Sequence, residues 1–395
     1  MNSKKRLLIA GGGYADIPLI IAAKKLGYYV VTTGNRPGDL GHQFSDKYFN
    51  ADFSSPSAML KLAVNENIEA ICPCANDFSA ISSAFVAQEL DLPGHDSYDV
   101  CKLLHHKDKY RDFAAANGIP TPVALSFSNI DKAENALNEL RYPIIIKPVD
   151  LTGGKGISTI NNPSDARESL VKAFSISREK RVVAEEYISG SRHGFSALIQ
   201  AGKVKFYFAD NEYYYLNPYM VSGASAPAYI ADSVITNIKN QIKKIVKLLQ
   251  LVDGIFHIQY ILTDKGPVII EICRRPPGDL YVNLVKYATD LDYPRFLVQL
   301  FTGEKIHDLN QKKVKGYFLR HCVMADRNGV LRDIQFSIDI VHNIIDKEMF
   351  WERGLKVSDY LTQKFGVVFM KFNSMNEMLE KSKKMQSYIK PIVDD

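Results

Sequence analysis

The first hundred residues alternate short apolar runs with helical stretches, and this alternation leaves few architectures open. Arg6–Ala10 reads as a buried strand ending in Gly11-Gly12-Gly13. Ile17–Leu26 reads as a helix stopped at Gly27, and Tyr29–Thr33 as a second strand. Ser57–Glu66 is helical, Ala70–Cys74 a third strand and Asp77–Leu90 a further helix. Strands that alternate with helices in this way specify an open, parallel α/β layout.

Further along, the pattern changes. Lys109–Asn117 reads as a helix ended by Gly118, since Pro120 and Pro122 forbid its continuation. Tyr142–Pro148 and Val182–Ile188 read as strands, and Ala197–Phe208 as a hairpin turning at Ala201-Gly202. Residues 210–229, rich in Asn, Tyr, Pro, Gly and Ser, read as a long mobile loop. In 232–251, Ile235, Ile238, Ile242, Ile245, Val246, Leu248 and Leu249 recur at helical spacing, the mark of a long amphipathic helix. Strands and turns follow at 317–325 and 330–334, with a last helix near 374–388.

Composition excludes several classes. A chain of 395 residues should hold two or three domains. No apolar run approaches the length of a membrane span, and the start MNSKKRLLIAGGG does not read as a signal peptide. Five cysteines, an odd number, fit a reducing cytosol better than a disulfide framework. Cys72-Pro-Cys74 is too tight for zinc spacing, so the cysteines read as small buried residues. A net charge of +5, with Lys and Arg interleaved among acids, argues against dedicated nucleic-acid binding.

The segment 255–278, IFHIQYILTDKGPVIIEICRRPPG, reads as a β-hairpin whose arms flank the loop Thr-Asp-Lys-Gly-Pro. If Leu262 pairs with Val268, then Gln259 lies opposite Glu271, His257 opposite Cys273 and Ile255 opposite Arg275. With a side-chain period of two, all the polar members of that set share one face. A carboxylate, an amide, an imidazole and a guanidinium on one patch suit a magnesium–phosphate site. Mg²⁺ takes oxygen ligands and shares them with phosphate, and Arg clamps oxyanions. The bland alternative is an edge hairpin with one solvated face.

Three glycine signals need weighing. Gly11-Gly12-Gly13 stands where a dinucleotide fingerprint would, but Asp16 occupies its third glycine position and no acid ends the second strand. The run is therefore read as a tight turn in a Rossmann-like domain. Thr152-Gly153-Gly154-Lys155-Gly156 follows a strand without P-loop spacing, yet such a loop can close over a triphosphate and offer it backbone N–H groups. Lys147 at the preceding strand end is a further contact. Glu185-Glu186-Tyr187-Ile188 ends a strand whose backbone can pair with an adenine edge.

In order, Lys107, Gly118-Ile119-Pro120, Lys147-Pro148, the TGGKG loop, Glu185–Ile188, Ser189-Gly190 and Glu271-Ile272-Cys273-Arg274-Arg275 resemble the ATP-grasp superfamily. The resemblance runs over roughly the whole chain. It implies an α/β protein with a Rossmann-like pre-ATP-grasp domain at 1–100, an ATP-grasp domain at 101–305 and a small α+β C-terminal domain at 306–395. It implies ATP and Mg²⁺ as cofactors, and a carboxylate–amine ligase working through an acylphosphate on small-molecule carboxylate and amine substrates, an amino acid among them. A carboxylating or purine-biosynthesis-like relative and a non-catalytic ATP-binding module stay open. Neither nucleic acid nor a membrane is an expected partner, the expected location is cytoplasmic, and a homodimer is left open.

By position, Lys107 and Lys147 resemble the two lysines on the ATP phosphates, with Lys109 a rival for the first. Gly153, Gly154, Lys155 and Gly156 match the phosphate flap. Glu185 matches the adenine-side acid, Glu186 and Ile188 its backbone contacts, and His193 a ribose-contacting histidine. Glu271 and Gln259 match the metal ligands, and Arg275 the arginine facing the transferred phosphate or substrate carboxylate; Arg275 and Lys147 are the catalytic candidates. Gln259 stands where the first metal acid is usually Glu, and Cys273 where Asn is common. On charge count, Gln259→Glu should then tighten Mg²⁺. Arg192, Arg274, Arg320 and His321 are basic candidates for the acid substrate, and Tyr213-Tyr214-Tyr215 a cover for the acceptor.

Overall fold

The computed structural model describes residues 4–394. Its N-terminal part is a four-stranded parallel sheet of β1 (Arg6–Ala10), β2 (Tyr29–Thr33), β3 (Lys47–Phe49) and β4 (Ala70–Pro73), in the order β3-β2-β1-β4. Helices α1 (Ile17–Lys25), α2 (Pro56–Asn65) and α3 (Asp77–Glu89) link the strands and pack with the sheet. The open parallel layout is the one the alternation demands. The short β3, set by only three residues, carries too little apolar signal to be read from sequence.

Helices α4 (Tyr98–His105) and α5 (Lys107–Ala116) lead into the second sheet. This is antiparallel, ordered β5-β8-β6-β7, with β5 Ala124–Phe127, β6 Ile144–Pro148, β7 Ser158–Ile160 and β8 Val182–Glu186. Helices α6 (Ile130–Ala136) and α7 (Ala166–Ile176) back it, burying Ala133, Leu170, Ala173 and Phe174 against Ile144, Ile146 and Val182.

The third sheet has eight strands, ordered β13-β12-β9-β10-β11-β14-β18-β16. They are β9 (Ser191–Gln200), β10 (Lys203–Tyr213), β11 (Gly223–Ala226), β12 (Gly254–Thr263), β13 (Gly266–Cys273), β14 (Tyr317–Val323), β16 (Ile344–Met349) and β18 (Gly366–Phe372). Its two faces follow the strand period of two. Phe195, Ala197 and Ile199 of β9 and Phe256, Ile258 and Tyr260 of β12 pack on α8 (Asp232–Leu249), whose Ile238, Ile242 and Ile245 are fully buried. Each such isoleucine contributes about 1.5–3 kcal/mol by leaving water. Leu198, Phe206 and Ile255 face the opposite core, with the helices Tyr281–Thr289 and Tyr293–Phe301.

Residues 306–394 share this large sheet through β14, β16 and β18, and add a small one of β17 (Lys356–Val357), β15 (Gly329–Phe336) and β19 (Ile389–Asp394). The stretch read as a mobile loop is strand at 210–213 and 223–226, around a shorter loop at 214–222. β10 runs on to Tyr213, and β11 pairs with both β10 and β14. Asn, Gly and Ser disfavour strands, but here they sit in a central position where the ladder and burial outweigh propensity. No helix among the described residues is long and apolar enough to cross a membrane.

Candidate active site

The hairpin of β12 and β13 places Gln259 opposite Glu271 and His257 opposite Cys273, as read from sequence. It does so by a different route. Its turn is the two-residue Asp264-Lys265, with Thr263 against Gly266, and Leu262 pairs with Pro267 rather than Val268. A β-bulge between Gln259 and Tyr260 absorbs the one-residue slip, so the register at the site survives. The strands end at Cys273, and Arg275 does not pair with Ile255. Its Nε donates to Asp77 Oδ1 at 2.8 Å, a contact from the large sheet to the start of α3.

Around this hairpin a cavity of about 250 Å³ opens, lined by Gln259, Glu271, Arg275, Asp210, Glu212 and Thr152-Gly153 of the glycine loop, among others. Gly153, Gly154 and Gly156 all have φ near +70°, conformations that a side chain disfavours. A Cβ on Gly154 would lie 2.9 Å from Tyr219 Cβ, so the loop touches the 214–222 segment across the cleft. Lys155 points outward.

Lys107 begins α5, with its Nζ 3.5 Å from Glu271 Oε1 and 2.9 Å from the Leu151 carbonyl. This places Lys107, and not Lys109, beside the cavity. Lys147 Nζ donates to Glu185 Oε2 at 2.6 Å, and Arg111 reaches the other oxygen at 3.0 Å. Glu185 is only 2% exposed. Burial opposes its charge, but Arg111 and Lys147 together hold its carboxyl below the usual range, and burial draws the Lys147 ammonium down. Glu185 is thus an internal counter-ion that orients Lys147, not a free acceptor for an adenine amino group. The Glu186 carboxylate is tied to Arg141, and its N–H to the Val123 carbonyl. Among the described residues no backbone partner takes the N–H of Ile188.

His193 departs from expectation. It pairs with Tyr260 in the ladder and stacks on it at 5.3 Å, which puts it on the α8 face, opposite Gln259 and Glu271. Its Nε2 lies 2.7 Å from Ser191 Oγ, and burial pulls its pKa down to about 4. The strand alternation that placed Gln259 correctly turns His193 away.

The residues that sequence reasoning missed are mostly acids. Asp210 and Glu212 stand two apart on β10 and share the Gln259–Glu271 face. Gln259 Nε2 donates to Glu212 Oε1 at 2.8 Å, and Tyr214 Oη to Glu212 Oε2 at 2.7 Å. Burial, with Glu271 adding its charge, pushes Glu212 up, and burial with Glu212 pushes Asp210 to about 7. Carboxylates that raise one another call for a cation, and their oxygens suit a hard one such as Mg²⁺. Asp77, Glu271 and Cys273 also lie close together. That trio is poorer, because Asp77 is held by Arg275 and by His105 at 3.0 Å, and burial keeps the Cys273 thiol protonated. Arg111 could have been found as the residue one helical turn after Lys107. Asp210 and Glu212 were hidden by the loop reading.

At the far end of the cavity, Asp279 binds Lys364 at 2.6 Å, Arg320 at 3.3 Å and the Tyr14 hydroxyl at 2.7 Å. Asp279 and Leu280 both adopt φ near +55°, a strained pair held by their surroundings. Of the other basic candidates, Arg320 alone lines the cavity. Arg274 is buried on Asp96, Arg192 covers Tyr214, and His321 is fully buried against Tyr215. The three tyrosines pack inward, Tyr213 on Ser225, Tyr214 on Glu212 and Tyr215 on the Ser382 carbonyl, and do not form a cover. In the N-terminal turn, Asp16 accepts from the N–H groups of Gly13 and Ala75, while Gly11 and Gly12 pack against Cys74 and His42.

The glycine loop and a group of carboxylates line this cleft, and Lys107 stands beside it on Glu271. Residues 106–279 match the family model of the ATP-grasp domain. An L-amino acid ligase from Bacillus licheniformis has the same fold, with a TM-score of 0.81 at 18% identity over 100% of both chains. Phosphoribosylglycinamide synthetase from Anaerococcus prevotii gives 0.75 at 22% identity, over 99% of this chain and 100% of that one. The biotin carboxylase domain of Hydrogenobacter thermophilus 2-oxoglutarate carboxylase, solved with MgADP and bicarbonate, gives 0.77 at 16% identity, over 100% and 92%. At these identities the likeness is one of fold.

Proposed function

We propose that this chain activates a small carboxylate, an amino acid or similar acid, as an acylphosphate with ATP and joins it to an amine, releasing ADP and phosphate. The observation that carries this is the convergence of Lys107, Glu271 and Arg275 on one cavity that continues to the cationic end formed by Arg320 and Lys364. Lys107 and Lys147 would meet the triphosphate beneath the glycine loop. The Ile188 N–H is free for an adenine edge. Mg²⁺ held by Glu271 and its neighbours would screen the phosphate charge.

The residues then act in order. Arg275, fixed by Asp77, and Arg320, whose Nε is buried without a partner, would hold the substrate carboxylate. A carboxylate oxygen attacks the γ-phosphorus, the bond to the β,γ-bridging oxygen breaks, and ADP leaves. The amine nitrogen then attacks the acyl carbon and phosphate departs. The chain supplies positioning and charge, which is most of phosphoryl-transfer catalysis. The non-catalytic reading was motivated by Gln259 and Cys273; Glu212, hydrogen-bonded to Gln259, adds a carboxylate to the same patch and supports the catalytic one.

The test is ADP release over a panel of amino acids, amines and bicarbonate, with hydroxylamine present to trap an acylphosphate as the hydroxamate. Hydroxamate formation with an amino acid is expected. ATP binding without ADP release or hydroxamate across the panel would sink the reading, and release with bicarbonate alone would favour the carboxylating relative.

A further inference from the structure

We propose that Glu212 supplies the second metal carboxylate of this site in place of the acid that Gln259 lacks, with Gln259 as the residue that holds Glu212 in position. The proposal rests on the ligase reading only for the nucleotide that would share the metal. Its basis is a three-strand arrangement. β9 lies between β12 and β10, and on the cavity face its residue between Gln259 and Asp210 is Gly194, which pairs with both. A Cβ at 194 would meet Asp210 Oδ1 at 2.7 Å. The glycine therefore opens a gap across the middle strand, and side chains from strands that are not neighbours meet over it. Gln259 Nε2 reaches Glu212 Oε1 at 2.8 Å through this gap.

A second observation points to a ligand. Asp210 is 1% exposed, lines the same cavity, and leaves Oδ2 without any hydrogen-bond partner while Oδ1 takes the Tyr281 hydroxyl. A buried carboxylate oxygen left unpaired is costly unless something else binds it. Among the described residues neither Asp210 nor Glu212 makes an ion pair, and Glu271 has Lys107 alone, at 3.5 Å. One divalent cation between Glu271 and Glu212, with the Gln259 amide oxygen and Asp210 beside it, balances two charges with oxygen donors throughout. The carboxylate stands two strands across the sheet, on β10 instead of β12, and the site keeps its charge.

The experiment is a titration of the full chain with Mn²⁺, followed by electron paramagnetic resonance, in the presence of a non-hydrolysable ATP analogue. Glu212→Gln should weaken Mn²⁺ binding by at least about tenfold, because affinity follows the number of ligand charges. The exchange variant Gln259→Glu with Glu212→Gln should recover affinity to within about threefold of wild type, since it restores one carboxylate to the same patch. Wild-type affinity in Glu212→Gln, or an exchange variant no better than that single change, overturns the assignment. If Glu212→Gln does not fold, Glu212→Asp decides: retracting the carboxylate by one methylene should weaken Mn²⁺ clearly, and unchanged affinity overturns the proposal. A chain that binds Mn²⁺ through Glu212 but forms no hydroxamate fails the ligase reading alone. One that forms hydroxamate while Glu212→Gln keeps its Mn²⁺ fails this assignment alone.

Discussion

Lys107, Lys109 and Lys147 carry the same charge and differ in what surrounds them. Lys147 is buried in an ion pair with Glu185, Lys107 sits beside Glu271, and Lys109 makes no contact with the cavity. Lys107→Ala and Lys147→Ala should each lower kcat/KM for ATP by about a hundredfold, the cost of one removed donor at a charged transition state. Lys109→Ala should stay near wild type; a larger loss there than in Lys107→Ala would displace Lys107 from the site. At Gln259 the structure adds a neighbour that charge counting did not include, the Glu212 carboxylate. Gln259→Glu sets a carboxylate against Glu212 where a 2.8 Å hydrogen bond now stands. Metal-free protein should lose about 1–3 kcal/mol, with a lower Tm that Mg²⁺ restores. An unchanged metal-free Tm would show that Glu212 does not depend on the amide. Asp16, buried and lifted by that burial to about 6, titrates in the opposite sense to a salt-bridged acid. Its raised value means that the folded state holds the proton more tightly. The stability it contributes is full below about pH 4 and is lost as pH rises through 6. Between pH 4 and 7 wild type should therefore lose up to about 3 kcal/mol relative to Asp16→Asn in urea unfolding. Parallel profiles for the two proteins would refute the assignment.

At the scale of elements, the glycine loop and β10 show how backbone geometry sets the site. Gly153 and Gly154 share a positive φ, but a Cβ on Gly153 would meet nothing within 4 Å, whereas one on Gly154 would press on Tyr219. Gly154→Ala should therefore raise KM for ATP severalfold more than Gly153→Ala, measured by steady-state kinetics. Equal effects would mean that φ alone, and not contact with the 214–222 segment, governs the loop. The length of β10 matters more still. Had the chain left the sheet at Phe208, as its local composition suggests, Asp210 and Glu212 would sit on a loop with no fixed direction. The ladder to β9 and β11 carries the strand on to Tyr213 and sets both acids in the cavity that Glu271 also lines.

Across the whole molecule, two ion pairs tie the N-terminal part to the large sheet: Arg275 to Asp77, and Arg274 to Asp96. Burial works against both members of the first pair. Even so, Arg275 and His105 hold Asp77 well below the usual carboxylate range, and Asp77 holds Arg275 high. Asp77→Asn leaves Arg275 charged without its partner. It should cost about 3–5 kcal/mol in urea unfolding, with a fall in kcat as Arg275 loses its orientation. A variant that unfolds at the wild-type midpoint would show that the two parts are held together elsewhere.

The Gln259–Glu271 pairing, read from a five-residue turn, holds only because a bulge offsets the two-residue turn the chain makes. Hydrophobic periodicity and turn residues by themselves determined the parallel N-terminal sheet and the long helix of 232–249. These follow from local rules, a period of two or 3.6 and the demands of glycine and proline, which neighbours in sequence already satisfy. The order of Lys107, Lys147, the glycine loop and Glu271 carried the resemblance to an ATP-grasp domain, which the match over residues 106–279 bears out. Only the tertiary structure decided which charges meet. Asp77, Arg111, Asp210 and Glu212 lie between 47 and 198 residues from their partners Arg275, Glu185, Ile270, Tyr281 and Gln259 along the chain. His193 was turned from the site by the alternation of a strand whose pairing no local signal sets. Electrostatic contact depends on distance in space, and a sequence reports that distance only where secondary structure is the whole of the geometry.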